Sequence, residues 1–308
     1  MLRYVTLRLL QGIVVVFLVS LATFIIMQLA PGSPVDIMIG EAHVTEAQIE
    51  AIERKWGLDR PVHEQYLTWL GNVVRLDFGQ SVIRTGVPVG EMLREAAPMT
   101  IRLNLLALAI AAAVAIPLGI TAAVRRYSVL DYASMLTATL GVSLPNYWVG
   151  LMLIILFSLV LGWLPPFGAE GWQSYVMPVA VLAFGEMAVL ARMARGATSE
   201  VLNQDYVTTA RAKGLRQQAV IRRHVVRNSL LPVVTLLGYR LAFVLSGTIV
   251  VETIFAWPGI GRLFIDSVYR LDYQVVQAIV LLLSTIVVIG NIVTDLAYAF
   301  IDPRIRVG

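Results

Sequence analysis

The chain reads as an all-α polytopic membrane protein with six membrane-spanning helices, and three observations lead there. Its 308 residues are 58% hydrophobic and only 14% charged, with a mean hydropathy of +0.76, whereas a soluble domain carries about 25% charged residues. Runs of about 20 apolar residues recur, each enough at roughly 1.5 Å rise per residue to cross a hydrocarbon core of roughly 30 Å. Lys and Arg gather in alternate connecting segments, the bias that cytoplasmic loops acquire.

Residues 9–30 form the first run. Arg3 and Arg8 precede it like the basic region of a secretory signal, but the apolar stretch of a signal spans about 7–15 residues. This run continues for a full membrane thickness to Pro31 and Gly32, so it reads as a retained helix closing an N-terminal segment 1–30.

Residues 31–98 are polar and contain helix signals. Thr45 and Gln48 stand at capping-box spacing, Ile49, Ile52 and Trp56 share a face, and Gly57 supplies a stop. After Pro61, the residues Tyr66, Leu67, Leu70, Val73 and Val74 repeat on one side. This predicts a small helical cap on the outer membrane face, which either closes the end of the bundle or receives an outside partner. The runs 99–124, 132–161, 176–194, 230–251 and 275–300 then make a five-helix core within 99–308.

Charge placement orients the chain. Arg3, Arg8, Arg125, Arg126, Arg211, Lys213, Arg216, Arg222, Arg223, Arg227, Arg304 and Arg306 fall on one side, while the segment 31–98 leans acidic. Both termini are therefore expected in the cytoplasm. The net charge of +4 and pI near 9.5 reflect this topology. The basic residues form no stripe with interleaved aromatics, so no nucleic-acid partner is expected.

The longest inner segment, 196–229, carries the most local information. Asp205 stands where it caps a short helix over 206–213, Gly214 is a left-handed terminator, and a second helix from Gln217 carries Arg222, Arg223 and Arg227. Pro232 marks the first turn of the fifth span. Between the fifth and sixth spans, TIFAWPGIGRLFIDSVYRLDY is too short to be a span and too apolar for an exposed loop. Trp257, Pro258, Gly259 and Gly261 break helices there, and irregular backbone at that depth belongs in protein or beside a watered cavity. These four residues are an outer-gate candidate, with an interfacial aromatic anchor as the plainer reading.

Ionisable residues inside spans are costly and functional by default. Glu186 and Arg240 fall at similar depth in the fourth and fifth spans, which suggests an intramembrane ion pair, either structural or part of a proton relay. Enzymatic signatures are missing. The chain has no GxxxxGK[ST] loop, so any nucleotide must bind another chain. His43, His63 and His224 all lie in aqueous segments without ligand spacing, and there is no cysteine. Ser246 and Gly247 read as small residues for close helix packing.

The segment TARAKGLRQQAVIRRHVVRNSLLPVVT resembles the signature loop of type I ABC importer permeases. LAPGSPVD, KWGLDRPVHEQY, LDFGQSV, LGVSLPNYW, GWLPPFG, VVETIFAWPGIGRLFIDSV and DLAYAFIDPRIR extend the resemblance over nearly the whole chain, to the dipeptide, oligopeptide and nickel permease branch. The resemblance implies a second related permease subunit, two cytoplasmic ATPase subunits that hold the ATP and Mg, and an extracytoplasmic solute-binding protein. It implies a bacterial-type inner membrane, and no enzymatic site, cofactor or metal in this chain. The ATPase-coupling positions it implies are Thr209, Ala210, Arg211, Ala212, Lys213 and Gly214. The Glu-Ala-Ala common in the family reads Thr209-Ala210-Arg211 here. On this reading Ala210 and Ala212 settle into a groove of the soluble partner, with Arg211 and Lys213 at its rim. The cargo expected is a short peptide, with a nickel or metal chelate as alternative. A proton-coupled secondary transporter built on Glu186 and Arg240 is the alternative of another class; inverted repeats would favour it, and none is visible.

Overall fold

The computed structural model describes residues 2–29, 47, 49–51, 54, 57–245 and 248–301, with only the backbone course at 2–4 and 295–301. The predicted capping residues Thr45 and Gln48 with Ile52 and Trp56, the pair Ser246 and Gly247, and the tail arginines Arg304 and Arg306 lie outside the described residues. The protein is an all-α polytopic membrane protein. Among the described residues four helices are long and apolar enough to cross a bilayer, namely α1 (Leu2–Leu29), α3 (Val89–Val124), α6 (Gln173–Leu202) and α12 (Tyr273–Ile301). A fifth span exists if the pair α4 (Val129–Ser143) and α5 (Asn146–Leu153) counts as one; α5 runs on through a wide π turn over Ile154–Val160.

That pair departs from the straight helix expected over 132–161, because it bends by 102°. Proline supplies the reason. Pro145 lacks an amide for the helical ladder and pushes the residue before it out of the helical region, and Leu144 sits at φ −82°, ψ 127°.

The run expected as the fifth span, 230–251, is likewise divided into α9 (Arg227–Ala242) and α10 (Ile249–Ile254). Toward its N-terminal side α9 is longer than expected. It continues without a break from α8 (Gln217–Val220) through a π turn over Ile221–Val226, so Pro232 lies inside a continuous helix and not in a first turn.

By packing the chain falls into two units, Met1–Met99 with Pro258–Gly308, and Thr100–Trp257. In the first, α1 lies along α12, so close that a Cβ at Gly12 would come within 2.6 Å of a Val288 methyl. Helix α2 (Val62–Val74) packs on α1 through Tyr66 and Trp69, with Ser20 Oγ 2.9 Å from Tyr66 Oη. Leu67 and Val74, expected on that face, are 62% and 77% exposed, while Trp69 takes their place. The segment after α2 is tied by the buried Asp272, whose carboxylate accepts from Ser81 Oγ and, at 3.2 Å, from the Val82 amide.

In the second unit α6 is the central element. A Cβ at Gly119 of α3 would lie 2.5 Å from the Ala191 carbonyl oxygen, and one at Gly141 of α4 would lie 2.9 Å from Ala188 Cβ. Small residues thus let both neighbours approach α6 at backbone distance. Asp131, in the first turn of α4, is 2% exposed. It receives Arg195 of α6 through Nε at 2.5 Å and Nη2 at 3.0 Å, a two-pronged ion pair.

Candidate functional site

Three places carry the residues that the sequence singles out. The first is the corner between α7 (Asp205–Ala212) and α8. Asp205 does not cap this helix; Gln204 occupies the cap position without a side-chain bond, and Asp205 is the first helical residue, where its charge faces the positive helix end. The Lys213 amide donates to the Thr209 carbonyl and the Gly214 amide to that of Arg211, both at 3.0 Å. Gly214 then turns the chain at φ +77°, a conformation that L side chains resist.

Burial sorts the faces of α7. Val207 and Ala210 pack with Val220 and Val225 in a small apolar cluster, so Ala210 faces the chain's own interior. Of the two alanines assigned to an outside groove, Ala210 is therefore unavailable, while Thr209, Arg211, Ala212, Lys213 and Gly214 are exposed. The Asn228 amide donates to Tyr206 Oη at 3.1 Å, which ties α7 to α9 as well.

The second place is a cavity of about 200 Å³ within the Thr100–Trp257 unit. Asn104 of α3, Asn146 of α5, Glu186 of α6 and Arg240 of α9 line it. Arg240 Nε is 3.2 Å from Glu186 Oε2. The two atoms are buried yet misaligned for a hydrogen bond, and neither has another partner.

The third is the end of α10. Trp257 is completely buried and packs edge-on against Tyr175, with ring centroids 4.5 Å apart. A buried Trp cannot serve as an interfacial anchor. The helix stops before it by a Schellman arrangement, with the Trp257 amide donating to the Glu252 carbonyl at 2.8 Å and the Ala256 amide to that of Thr253 at 3.2 Å. Ala256 takes the left-handed position at φ 49°. In the other unit, Pro258 and Gly259 lead into α11 (Ile260–Tyr269), and Gly261 is inside that helix instead of breaking one.

Several buried polar groups escaped the sequence reading. Glu252 is completely buried, and its Oε1 accepts from Thr100 Oγ1 at 2.7 Å and Thr248 Oγ1 at 2.8 Å. It falls one position past the apolar run 230–251, so a window over spans misses it. Asp131 falls one position before the apolar run 132–161, although Ser128 three residues before it is an N-cap signal, and the Ser128 side chain does accept from the Asp131 amide. Arg195 and Asp272 had no comparable signal.

Comparison with known proteins places these features in context. The family model described as the binding-protein-dependent transport system inner membrane component matches residues 115–307, and its N-terminal companion matches residues 1–96. An oligopeptide transport system permease protein of Bacillus subtilis is 40% identical over 316 residues, covering 99% of this chain and 100% of that one. A putative peptide permease protein of Brucella suis is 40% identical over 318 residues, covering all of both chains. A glutathione transport system permease protein of Escherichia coli is 40% identical over 307 residues, 99% of each chain.

Proposed function

Because the chain belongs to the family of binding-protein-dependent transport system inner membrane components, we propose that it is the permease subunit of an ATP-driven importer of short peptides. The observation that carries the cargo class is the end-to-end likeness, at 40% identity, to relatives named for oligopeptide and glutathione transport. A second related permease forms the other half of the pathway, and an extracytoplasmic binding protein delivers the peptide. ATP and Mg belong to two cytoplasmic ATPase subunits, and both termini of this chain are cytoplasmic.

The α7–α8 corner is the coupling element in this reading. Arg211, Ala212 and Lys213 form its exposed end, small enough at Ala212 to enter a groove and charged on both sides of it. Ala210, held in the apolar cluster, anchors the corner to the chain's own helices. When the ATPases close on ATP, the docked corner moves with them and access changes from one side to the other. ATP drives this only through its different affinity for the two states.

The test is a cysteine at Ala212 paired with cysteines along the groove of the ATPase in the assembled, active complex. A crosslink whose yield changes between nucleotide-free and ATP-bound states is expected. No crosslink at any groove position sinks the coupling role.

A further inference from the structure

Glu186 and Arg240 have unspent bonding capacity. Glu186 Oε2 and Arg240 Nε are buried without a hydrogen-bond partner, although they lie 3.2 Å apart. Each side chain as a whole is partly exposed, at 28% and 36%, beside a cavity of about 200 Å³. A pair serving only to pin α6 to α9 would align its donors and acceptors, as Asp131 and Arg195 do through two hydrogen bonds in the same unit. The cavity offers amide groups as well. Asn104 spends its amide nitrogen on the Thr100 carbonyl at 3.0 Å, which leaves its oxygen to accept. Asn146 stands across from Gly185, whose hypothetical Cβ would meet nothing nearer than Asn146 Oδ1 at 3.8 Å.

From this arrangement we infer that the cavity lined by Asn104, Asn146, Glu186 and Arg240 is a transient binding site for the charged end of a short peptide. Glu186 receives an N-terminal ammonium or Arg240 a C-terminal carboxylate, and the two asparagines take the adjoining peptide amide. A carboxylate presented to a guanidinium is matched by two parallel hydrogen bonds, which the existing pair does not make. The volume of about 200 Å³ is below the roughly 300–1,000 Å³ of sites that enclose a whole drug-sized ligand, so one end of a peptide enters at a time. The competing ion pair keeps the site weak, as passage requires: binding must favour entry yet permit exit. The larger groove beside Leu118 and Phe184 in the same unit is lined by no charged residue and does not offer this chemistry.

This rests on the peptide-import reading, and the experiment separates the two. The complete importer, with both permeases, the ATPases and the binding protein, is reconstituted in proteoliposomes and supplied with radiolabelled trialanine or its C-terminal amide. Gly185→Leu, which fills the cavity and keeps both charges, is expected to lower uptake per ATP hydrolysed about tenfold, with ATP hydrolysis itself within about twofold of wild type. Arg240→Gln is expected to narrow the preference for trialanine over its amide by about fivefold or more.

If Gly185→Leu assembles and imports trialanine at wild-type yield per ATP, the site is overturned while peptide import stands. An unchanged preference in Arg240→Gln overturns the assignment of the carboxylate. The double variant Glu186→Gln with Arg240→Gln guards against misfolding of the single ones; full uptake in that variant marks the pair as structural and overturns the site. A wild-type complex that hydrolyses ATP but imports neither peptide sinks the import reading, and the site with it.

Discussion

The approach of α3 to α6 at Gly119 sets up a sharp test of how this protein is held together. Replacing Gly119 by Ala puts a Cβ 2.5 Å from the Ala191 carbonyl oxygen, 2.9 Å from Ala194 Cβ and 3.0 Å from the Arg195 amide nitrogen. Ordinary contact begins at 3.4 Å, so the two backbones must part by about 0.9 Å. Two of the three obstacles are main-chain atoms inside a helix, which cannot rotate aside as a side chain would. Overpacking of this kind costs about 1–3 kcal/mol, and a backbone obstacle belongs at the upper end. The loss is partly offset by about 0.5–1 kcal/mol from replacing a helical glycine by alanine, leaving a net destabilisation of roughly 2 kcal/mol. Equilibrium unfolding in mixed micelles, titrated with sodium dodecyl sulfate and followed by Trp fluorescence, measures it. Gly196→Ala on α6 is the matched control, because a Cβ there meets nothing within 4 Å; it should be neutral or slightly stabilising. If Gly119→Ala unfolds with Gly196→Ala or later, close backbone packing is not what joins α3 to α6.

The same titration tests two other features, and amide hydrogen exchange tests a third. Arg195→Gln should cost about 3–5 kcal/mol by stranding the buried Asp131 carboxylate, and Asp131→Asn less, because the Arg195 side chain is 30% exposed, with the double variant costing less than their sum; strict additivity in the cycle would contradict the pairing. Glu252→Leu removes the shared acceptor of the Thr100 and Thr248 hydroxyls and should cost about 1–3 kcal/mol for each. Glu252→Gln, which keeps an accepting oxygen, should retain most of the stability, and equal losses in the two variants would refute the account. Asp272→Ala should speed amide hydrogen exchange at Val82, whose N–H it accepts, by about tenfold or more; unchanged protection there would show that the segment is held by other means.

Much of the fold was legible because hydropathy and proline act locally. The long helices α1, α3, α6 and α12 each follow from a predominantly apolar run. The left-handed turn at Gly214 follows from the residue itself. The bend between α4 and α5 was available in Pro145 but hidden by counting apolar residues across it, since composition does not register a missing amide. Helix ends at Ala256 and Leu271 were illegible for a different reason. Both residues hold the left-handed position usually given to glycine, at φ 49° and φ 52°, and neither announces itself in sequence. The amphipathic reading of α2 failed at Leu67 and Val74 because alternative faces at helical spacing differ by one residue, and only packing on Phe24 selects Tyr66 and Trp69.

The candidate site divides along the same line. Thr209 to Gly214 form a contiguous motif, so their grouping was readable, but which alanine faces outward depends on Val220 and Val225, which close the apolar cluster from the next helix. Glu186 and Arg240 stood out by charge. Their misalignment, and the room beside Gly185, are properties of three-dimensional packing that no spacing encodes.

The unbroken run from Gln217 to Ala242 makes α8, its π turn and α9 a single drive shaft. From the glycine corner to Arg240 it measures about 35 Å at roughly 1.5 Å per residue. A twist applied at one end would meet two weak places in the ladder before Arg240: the six residues Ile221–Val226, which are wound more loosely, and Pro232, which has no amide to donate. Under the coupling proposed above, these two places would set how far the corner turns before the guanidinium of Arg240 follows.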